Sequence, residues 1–132
     1  MVDLNWLYSI NRPALMPPSY VFGIVWPILY IMIILSLVFF VRNGIKKTDI
    51  LAISFFVLQL ALNLSWTPVF FGLHQIKIAL LIILALVVCV AITSILFYQK
   101  SKTAGLLLVP YFLWLLFAMY LNFEIVRLNS FN

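Results

Sequence analysis

Four long apolar segments, separated by short polar connections, dominate the sequence. They run over about residues 20–41, 50–71, 76–98 and 104–126, and a helix needs about 20 residues to cross the hydrocarbon core of a bilayer. Because the connections are short, consecutive helices are expected to be antiparallel neighbours. The pattern predicts an all-α integral membrane protein. We expect a single domain over residues 1–132, a bundle of four transmembrane helices preceded by an extramembrane loop over 1–19.

Composition supports lipid as the solvent for much of the surface. Hydrophobic residues make up 67% of the 132 residues and charged residues only 8%, against about 25% charged residues in soluble domains. A soluble chain of this length has too little interior to hide so much apolar surface.

The basic residues favour one side of the predicted bundle. Five lie in the first and third connections, whereas three lie on the other side: Arg42, Lys46, Lys47, Lys100 and Lys102 against Arg12, Lys77 and Arg127. The positive-inside rule then places these two connections in the cytoplasm and both termini outside it. Because the charges are scattered, we expect no nucleic-acid partner.

Polar residues and tryptophans inside the spans are concentrated in the first, second and fourth segments. The third segment is apolar on all sides and is expected to face lipid. Burying an amide such as Asn63 in lipid is costly, so its helix face should point into the bundle. Helical spacing defines one stripe on each of the three segments. The stripes are Phe22, Trp26 and Tyr30; Gln59, Asn63, Trp66 and Phe70; and Tyr111, Trp114, Ala118, Asn122 and Ile125.

Two ordinary roles compete with a binding role for these tryptophans. Trp66 lies near a helix end, as in an interfacial aromatic belt, and the amides can serve as contacts between helices. Trp114 lies near the centre of its span, where a belt role does not fit. Bulky aromatic side chains beside the small Ala118 and Gly23 would leave a slot for a flat apolar ligand.

Residues with catalytic or metal-binding chemistry are sparse. The acids Asp3, Asp49 and Glu124 are too scattered to form a carboxylate pair, and no nucleophile has an adjacent base. His74 has no metal-ligating neighbours in the sequence, and Glu124 is expected to pair with Arg127 one turn later. We therefore assign no catalytic residue, no metal and no required cofactor.

Taken in order, these residues resemble the TspO/translocator protein family, also called tryptophan-rich sensory proteins or the peripheral-type benzodiazepine receptor family. The resemblance is carried by Trp6, Arg12-Pro13, Pro17-Pro18, Val21-Phe22, Val25-Trp26, Leu29-Tyr30, Gln59, Leu62-Asn63, Trp66, Phe70-Phe71-Gly72, Pro110-Tyr111, Trp114, Ala118, Leu121-Asn122, Ile125 and Arg127.

The resemblance implies a receptor, sensor or carrier, commonly a homodimer, in the bacterial plasma membrane. Its ligands would be porphyrins such as protoporphyrin IX and heme-pathway intermediates; family members also bind cholesterol-like lipids and benzodiazepine-type ligands. The implied ligand-binding residues are Pro17, Phe22, Trp26, Tyr30, Asn63, Trp66, Phe70, Trp114 and Ala118.

The resemblance has one departure, and other functions remain open. The family has five helices, and the first is not in this sequence: either the true start lies upstream, or this is a four-helix variant with one pocket wall open. The alternatives are a small multidrug or solute transporter, a light-dependent porphyrin-degrading enzyme, and a purely structural subunit.

Overall fold

The computed structural model describes residues 19–42, 44–73 and 75–129. Its helices are α1 (Ser19–Val41), α2 (Ile50–Thr67), α3 (Ile76–Lys100), α4 (Lys102–Leu107) and α5 (Val109–Asn129), with a 3₁₀ turn at Lys47–Asp49 and a π-helical turn at Pro68–Gly72. Within these described ranges, four helical stretches are long and apolar enough to cross a membrane, at Gly23–Val41, Lys47–Phe70, Ile76–Lys100 and Lys102–Leu128. This confirms the prediction of an all-α membrane protein with four spans. The predicted loop over 1–19 lies outside the described residues except for Ser19, which begins α1.

Two prolines set where the second and fourth spans change geometry. Pro68 has no N–H to donate to the preceding turn, and the chain continues as a π-helical turn in which the Leu73 N–H donates to the Pro68 carbonyl at 2.9 Å. Pro110 likewise cannot continue a regular ladder, and the fourth span is divided at Leu108 into α4 and α5. By contrast, Pro27 lies within the uninterrupted α1.

The third span, which its apolar sequence predicts to face lipid, does so along one side only, because its other side is buried in the bundle. Helix α3 packs against α2, α4 and α5. Its buried side chains are Ala79, Ile83, Leu86, Val87, Cys89, Val90, Thr93 and Phe97, whereas Ile78, Leu81, Leu84, Val88 and Ile95 are exposed. Lipid and an apolar protein interior are equally apolar, so hydrophobicity alone does not distinguish a central membrane helix from a peripheral one.

One end of the bundle, which we call the basic end, contains residues 42–49 and 100–102. Near it, the rings of Phe40, Phe56 and Phe97 from α1, α2 and α3 stack, with centroids 4.1 Å apart for Phe40 and Phe97 and 5.5 Å for Phe56 and Phe97. The buried Ser36 hydroxyl on α1 donates to the Ala104 carbonyl of α4 at 2.7 Å. These contacts join α1 to the rest of the bundle at this end.

Packing of α1 loosens towards the other end, which we call the opposite end. Helix α1 packs mainly against α4 and touches α5 at few positions. Leu29, Ile33, Ser36 and Phe40 are buried, whereas Val25 and Trp26 nearer the opposite end are only half-buried. Among the described side chains of α1, those nearest the opposite end are therefore the least tightly packed.

Candidate functional site

Four side chains form a hydrogen-bonded chain across three helices, which we call the polar layer: Tyr30, Gln59, Asn63 and Tyr111. The Tyr30 hydroxyl donates to Asn63 Oδ1 at 2.5 Å, and Asn63 Nδ2 donates to the Tyr111 hydroxyl at 2.8 Å. That hydroxyl in turn donates to Gln59 Oε1 at 2.8 Å. The polar layer thus joins α1, α2 and α5.

Burial explains why these polar groups form hydrogen bonds with one another. The side chains of Gln59, Asn63 and Tyr111 are 1%, 3% and 0% exposed, and a polar group at this depth is costly without a hydrogen-bond partner. Gln59 and Asn63 are one helical turn apart on α2, so a single tyrosine from α5 reaches both. The Gln59 side chain is the last member of this hydrogen-bonded series, and its Nε2 atom has no hydrogen-bond partner among the described residues.

Three tryptophans lie one helical turn from the polar layer, and we call them the tryptophan layer: Trp26, Trp66 and Trp114. Trp26 precedes Tyr30 by four residues on α1, while Trp66 follows Asn63 and Trp114 follows Tyr111 by three residues on α2 and α5. Helix α1 runs from the opposite end to the basic end, whereas α2 and α5 run from the basic end to the opposite end. All three displacements therefore point towards the opposite end. At a rise of 1.5 Å per residue they amount to about 4.5–6 Å.

The three tryptophans are held differently. Trp66 is buried, and its Nε1 donates to Asn122 Oδ1 at 2.9 Å while its ring stacks on Phe70 with centroids 5.1 Å apart. Asn122 in turn donates from Nδ2 to the Ile76 carbonyl at 3.0 Å, which joins α5 to the start of α3. The Trp66 side chain is therefore held in a fixed position.

Trp26 and Trp114 are only half-buried. The Trp26 ring lies 5.8 Å from that of Tyr30, and the Trp114 ring lies 5.5 Å from that of Phe117, both pairs tilted. Each thus keeps part of its surface outside the protein core while being supported by a neighbouring aromatic side chain. This arrangement suits contact with a flat apolar molecule.

The remaining predicted site residues have mixed outcomes. Phe70 and Ala118 are buried, and Ala118 lies one turn beyond Trp114 towards the opposite end. Pro17 and the side chain of Phe22 lie outside the described residues. Gly23 is exposed, and a Cβ added there would meet nothing within 4 Å; its predicted place as a small residue beside bulky aromatic side chains stays a prediction.

Two members of the polar layer, Gln59 and Tyr111, lie on the stripes that the helical spacing defines, but they are not among the predicted ligand-binding residues. Tyr111 is the central member, since its hydroxyl both accepts from Asn63 and donates to Gln59. A tyrosine on the same helix face as Trp114 was the available signal. Spacing alone does not reveal which amides on a neighbouring helix its hydroxyl reaches.

Ionisable groups are peripheral to these layers. The expected pair of Glu124 and Arg127 is present, with Arg127 Nε and Nη2 donating to the two carboxylate oxygens at 2.9 and 2.7 Å near the end of α5. Among residues 19–42, 44–73 and 75–129 there is no group of three or more metal-ligating acids, histidines or cysteines. His74 lies outside the described residues. The described side chains of the two layers are thus aromatic or neutral hydrogen-bonding groups.

Comparison with known proteins matches the sequence to the TspO/MBR family over residues 2–128. The chain is 39% identical to the tryptophan-rich protein TspO of Chlorobaculum tepidum, a match that covers 95% of this chain and 80% of that protein. It is 38% identical to the tryptophan-rich sensory protein of Cereibacter sphaeroides, covering 95% and 77% of the two chains. It is 35% identical to the human translocator protein, covering 96% and 76%.

Proposed function

The chain belongs to the TspO/MBR family, and from this premise we propose that it is a membrane receptor, sensor or carrier for porphyrins and similar flat, apolar ligands. The ligand would bind between α1, α2 and α5, against the tryptophan layer. The names of the relatives, tryptophan-rich sensory protein and translocator protein, agree with a sensing or carrying role.

The observation that carries the proposal is the tryptophan layer one turn above the polar layer. Trp66 is fixed by Asn122 and Phe70, whereas Trp26 and Trp114 are half-buried. One fixed indole and two half-buried indoles at a similar depth would offer a flat macrocycle aromatic surfaces for stacking, and ligand sites are commonly apolar with a few fixed polar groups. The polar layer fixes the positions of the helices that bear these rings.

Transport driven by protons is less well supported by the described structure. Such exporters need an ionisable group within the membrane. In the described ranges the acids are Asp49 and Glu124; both form ion pairs, and both lie near helix ends. A binding role therefore fits the described side chains better than a proton-coupled relay.

The proposal includes the setting of the protein. The chain would be a homodimer in a bacterial plasma membrane, with the basic end in the cytoplasm and both termini outside. The charge distribution supports this orientation, because five basic residues lie at the basic end.

Titration of the purified full chain with protoporphyrin IX, followed by the absorbance of the porphyrin, tests the proposal. The variant Trp26→Leu, Trp114→Leu keeps apolar side chains but removes both rings. A stacked aromatic pair contributes about 0.5–1.5 kcal/mol beyond its buried area, so the double variant should bind on the order of 10- to 100-fold more weakly.

The matched control is Phe123→Leu, which removes an aromatic ring from α5 at a position that is 52% exposed. It should bind protoporphyrin IX as the unaltered chain does. Unchanged affinity in the double variant, or equal loss in the control, would contradict the assigned site. Turnover of porphyrin in light that exceeds the rate of free porphyrin and depends on Trp26 or Trp114 would favour the enzymatic alternative.

A further inference from the structure

We infer that the basic end carries a second binding site, for the phosphate group of an anionic phospholipid. The site is a cavity of about 320 Å³ where the end of α1, the start of α2 and the end of α3 meet. It is separate from the tryptophan and polar layers, which lie nearer the opposite end, and it does not depend on the proposed function.

Lys100 supplies a positive charge whose position is fixed. Its Nζ donates to Asp49 Oδ2 at 2.7 Å and to the Gly44 carbonyl at 2.8 Å, and it lies 4.4 Å from the centroid of the Phe40 ring. An ammonium group has three N–H donors, so these two bonds leave one donor for a ligand. Because the side chain is already ordered, a ligand would bind with little further loss of its conformational entropy.

The charge balance around the cavity is positive. Asp49 is the one acid among the described residues that line it, and its Oδ2 accepts both from Lys100 and from the backbone N–H of Lys46, at 2.7 and 2.8 Å. Lys46 also lines the cavity, and its ammonium group makes no ion pair within the described ranges. Lys46 therefore leaves an excess positive charge, which favours an anionic group.

The apolar lining indicates a lipid rather than a soluble anion. Leu51, Ala52 and Leu96 line the same cavity, and Leu51 is 58% exposed on the outer face of α2. Charged groups at the helix ends and apolar groups below them match a phospholipid, whose phosphate would lie between Lys46 and Lys100 while an acyl chain follows Leu51 and Leu96. Basic pockets between transmembrane helices are a recurring form of lipid head-group recognition.

Native mass spectrometry of the full chain in detergent micelles tests the inference. Phosphatidylglycerol and phosphatidylcholine of the same acyl chains are supplied in equal amounts. The unaltered chain should retain phosphatidylglycerol preferentially, and Lys46→Gln should weaken that binding about fivefold, the effect of one basic residue near an anionic lipid. Lys46→Arg, which keeps the charge, should restore it.

The matched control is Lys77→Gln, an exposed lysine at the opposite end, which should leave the preference unchanged. Equal retention of the two lipids, or equal loss in Lys46→Gln and Lys77→Gln, would overturn the proposal. Displacement of phosphatidylglycerol by millimolar inorganic phosphate alone would show that the site takes a free phosphate and would overturn the assignment to a lipid. Lys46 is exposed, and only its backbone N–H donates to Asp49 Oδ2, so its side-chain variants should remain folded.

Discussion

Replacing Tyr111 with phenylalanine tests the polar layer directly, because one hydroxyl takes part in two of its three hydrogen bonds. Tyr111→Phe removes the bonds to Asn63 Nδ2 and Gln59 Oε1, both 2.8 Å long. Hydrogen bonds between membrane helices contribute about 0.6 kcal/mol on average and up to about 1.7 kcal/mol. Since both amides are almost fully buried, we expect a loss of about 1–3 kcal/mol in the free energy of unfolding.

Cys89 provides the assay. It is the one cysteine in the sequence, and it is buried on α3 with 7% of its surface exposed. In mild denaturant its rate of reaction with a maleimide reports the fraction of opened molecules. A loss of about 1.4 kcal/mol raises an opening equilibrium about tenfold, and Tyr111→Phe should accelerate labelling to about that degree.

Tyr30→Phe and Tyr98→Phe complete the experiment. Tyr30 is half-buried and donates a single bond, to Asn63 Oδ1, so its variant should lose about half as much stability as Tyr111→Phe. Tyr98 is 45% exposed on α3, and its variant should label at the unaltered rate. An effect of Tyr111→Phe no larger than that of Tyr30→Phe would refute the view that Tyr111 is the central member of the polar layer.

Two further substitutions can be measured with the same thiol assay. Trp66→Phe keeps an aromatic wall but removes the N–H that donates to Asn122 at 2.9 Å, so unfolding should become easier by about 1 kcal/mol; an unaltered labelling rate would show that this bond contributes no stability. Gly105→Ala should be more damaging, at about 1–3 kcal/mol, because the added Cβ would lie 2.5 Å from the Cβ of Tyr98 and 2.7 Å from its Cα. Tolerance of alanine without loss of stability would mean that α4 is free to move away from α3.

The four spans could be predicted from sequence because their length is set by the bilayer and not by their partners. Helix α1 begins at Ser19 and α3 ends at Lys100, each within two residues of the predicted limit. The shape of the breaks was not predictable: Pro68 leads into a π-helical turn and Pro110 follows a division of the span. Both outcomes depend on which N–H groups bind the backbone carbonyls that lose their usual partner at a proline. The proline residue alone does not determine this.

The candidate site was predicted in part, and the difference follows from the physics of each residue. The inward orientation of Asn63 follows from the cost of an amide in lipid, and the residue is 3% exposed. The separate roles of Trp66 and Trp114 could not be read from spacing, because they depend on whether a partner such as Asn122 reaches the indole N–H. The roles assigned to Pro17 and Phe22 stay predictions.

The polar layer stabilises the bundle, and the tryptophan layer is the part proposed to bind the ligand. Below the tryptophans, Tyr30, Asn63 and Tyr111 join α1, α2 and α5 through neutral hydrogen bonds. Above them, Trp66 is fixed, but Trp26 lies on the half of α1 where burial has declined. A ligand that entered beside Trp26 would therefore displace the part of α1 with the fewest buried contacts, and it would leave the polar layer and the basic end in place. In the proposed site, the polar layer would therefore lie beneath the ligand and hold α1, α2 and α5, which bear the three indoles, in position.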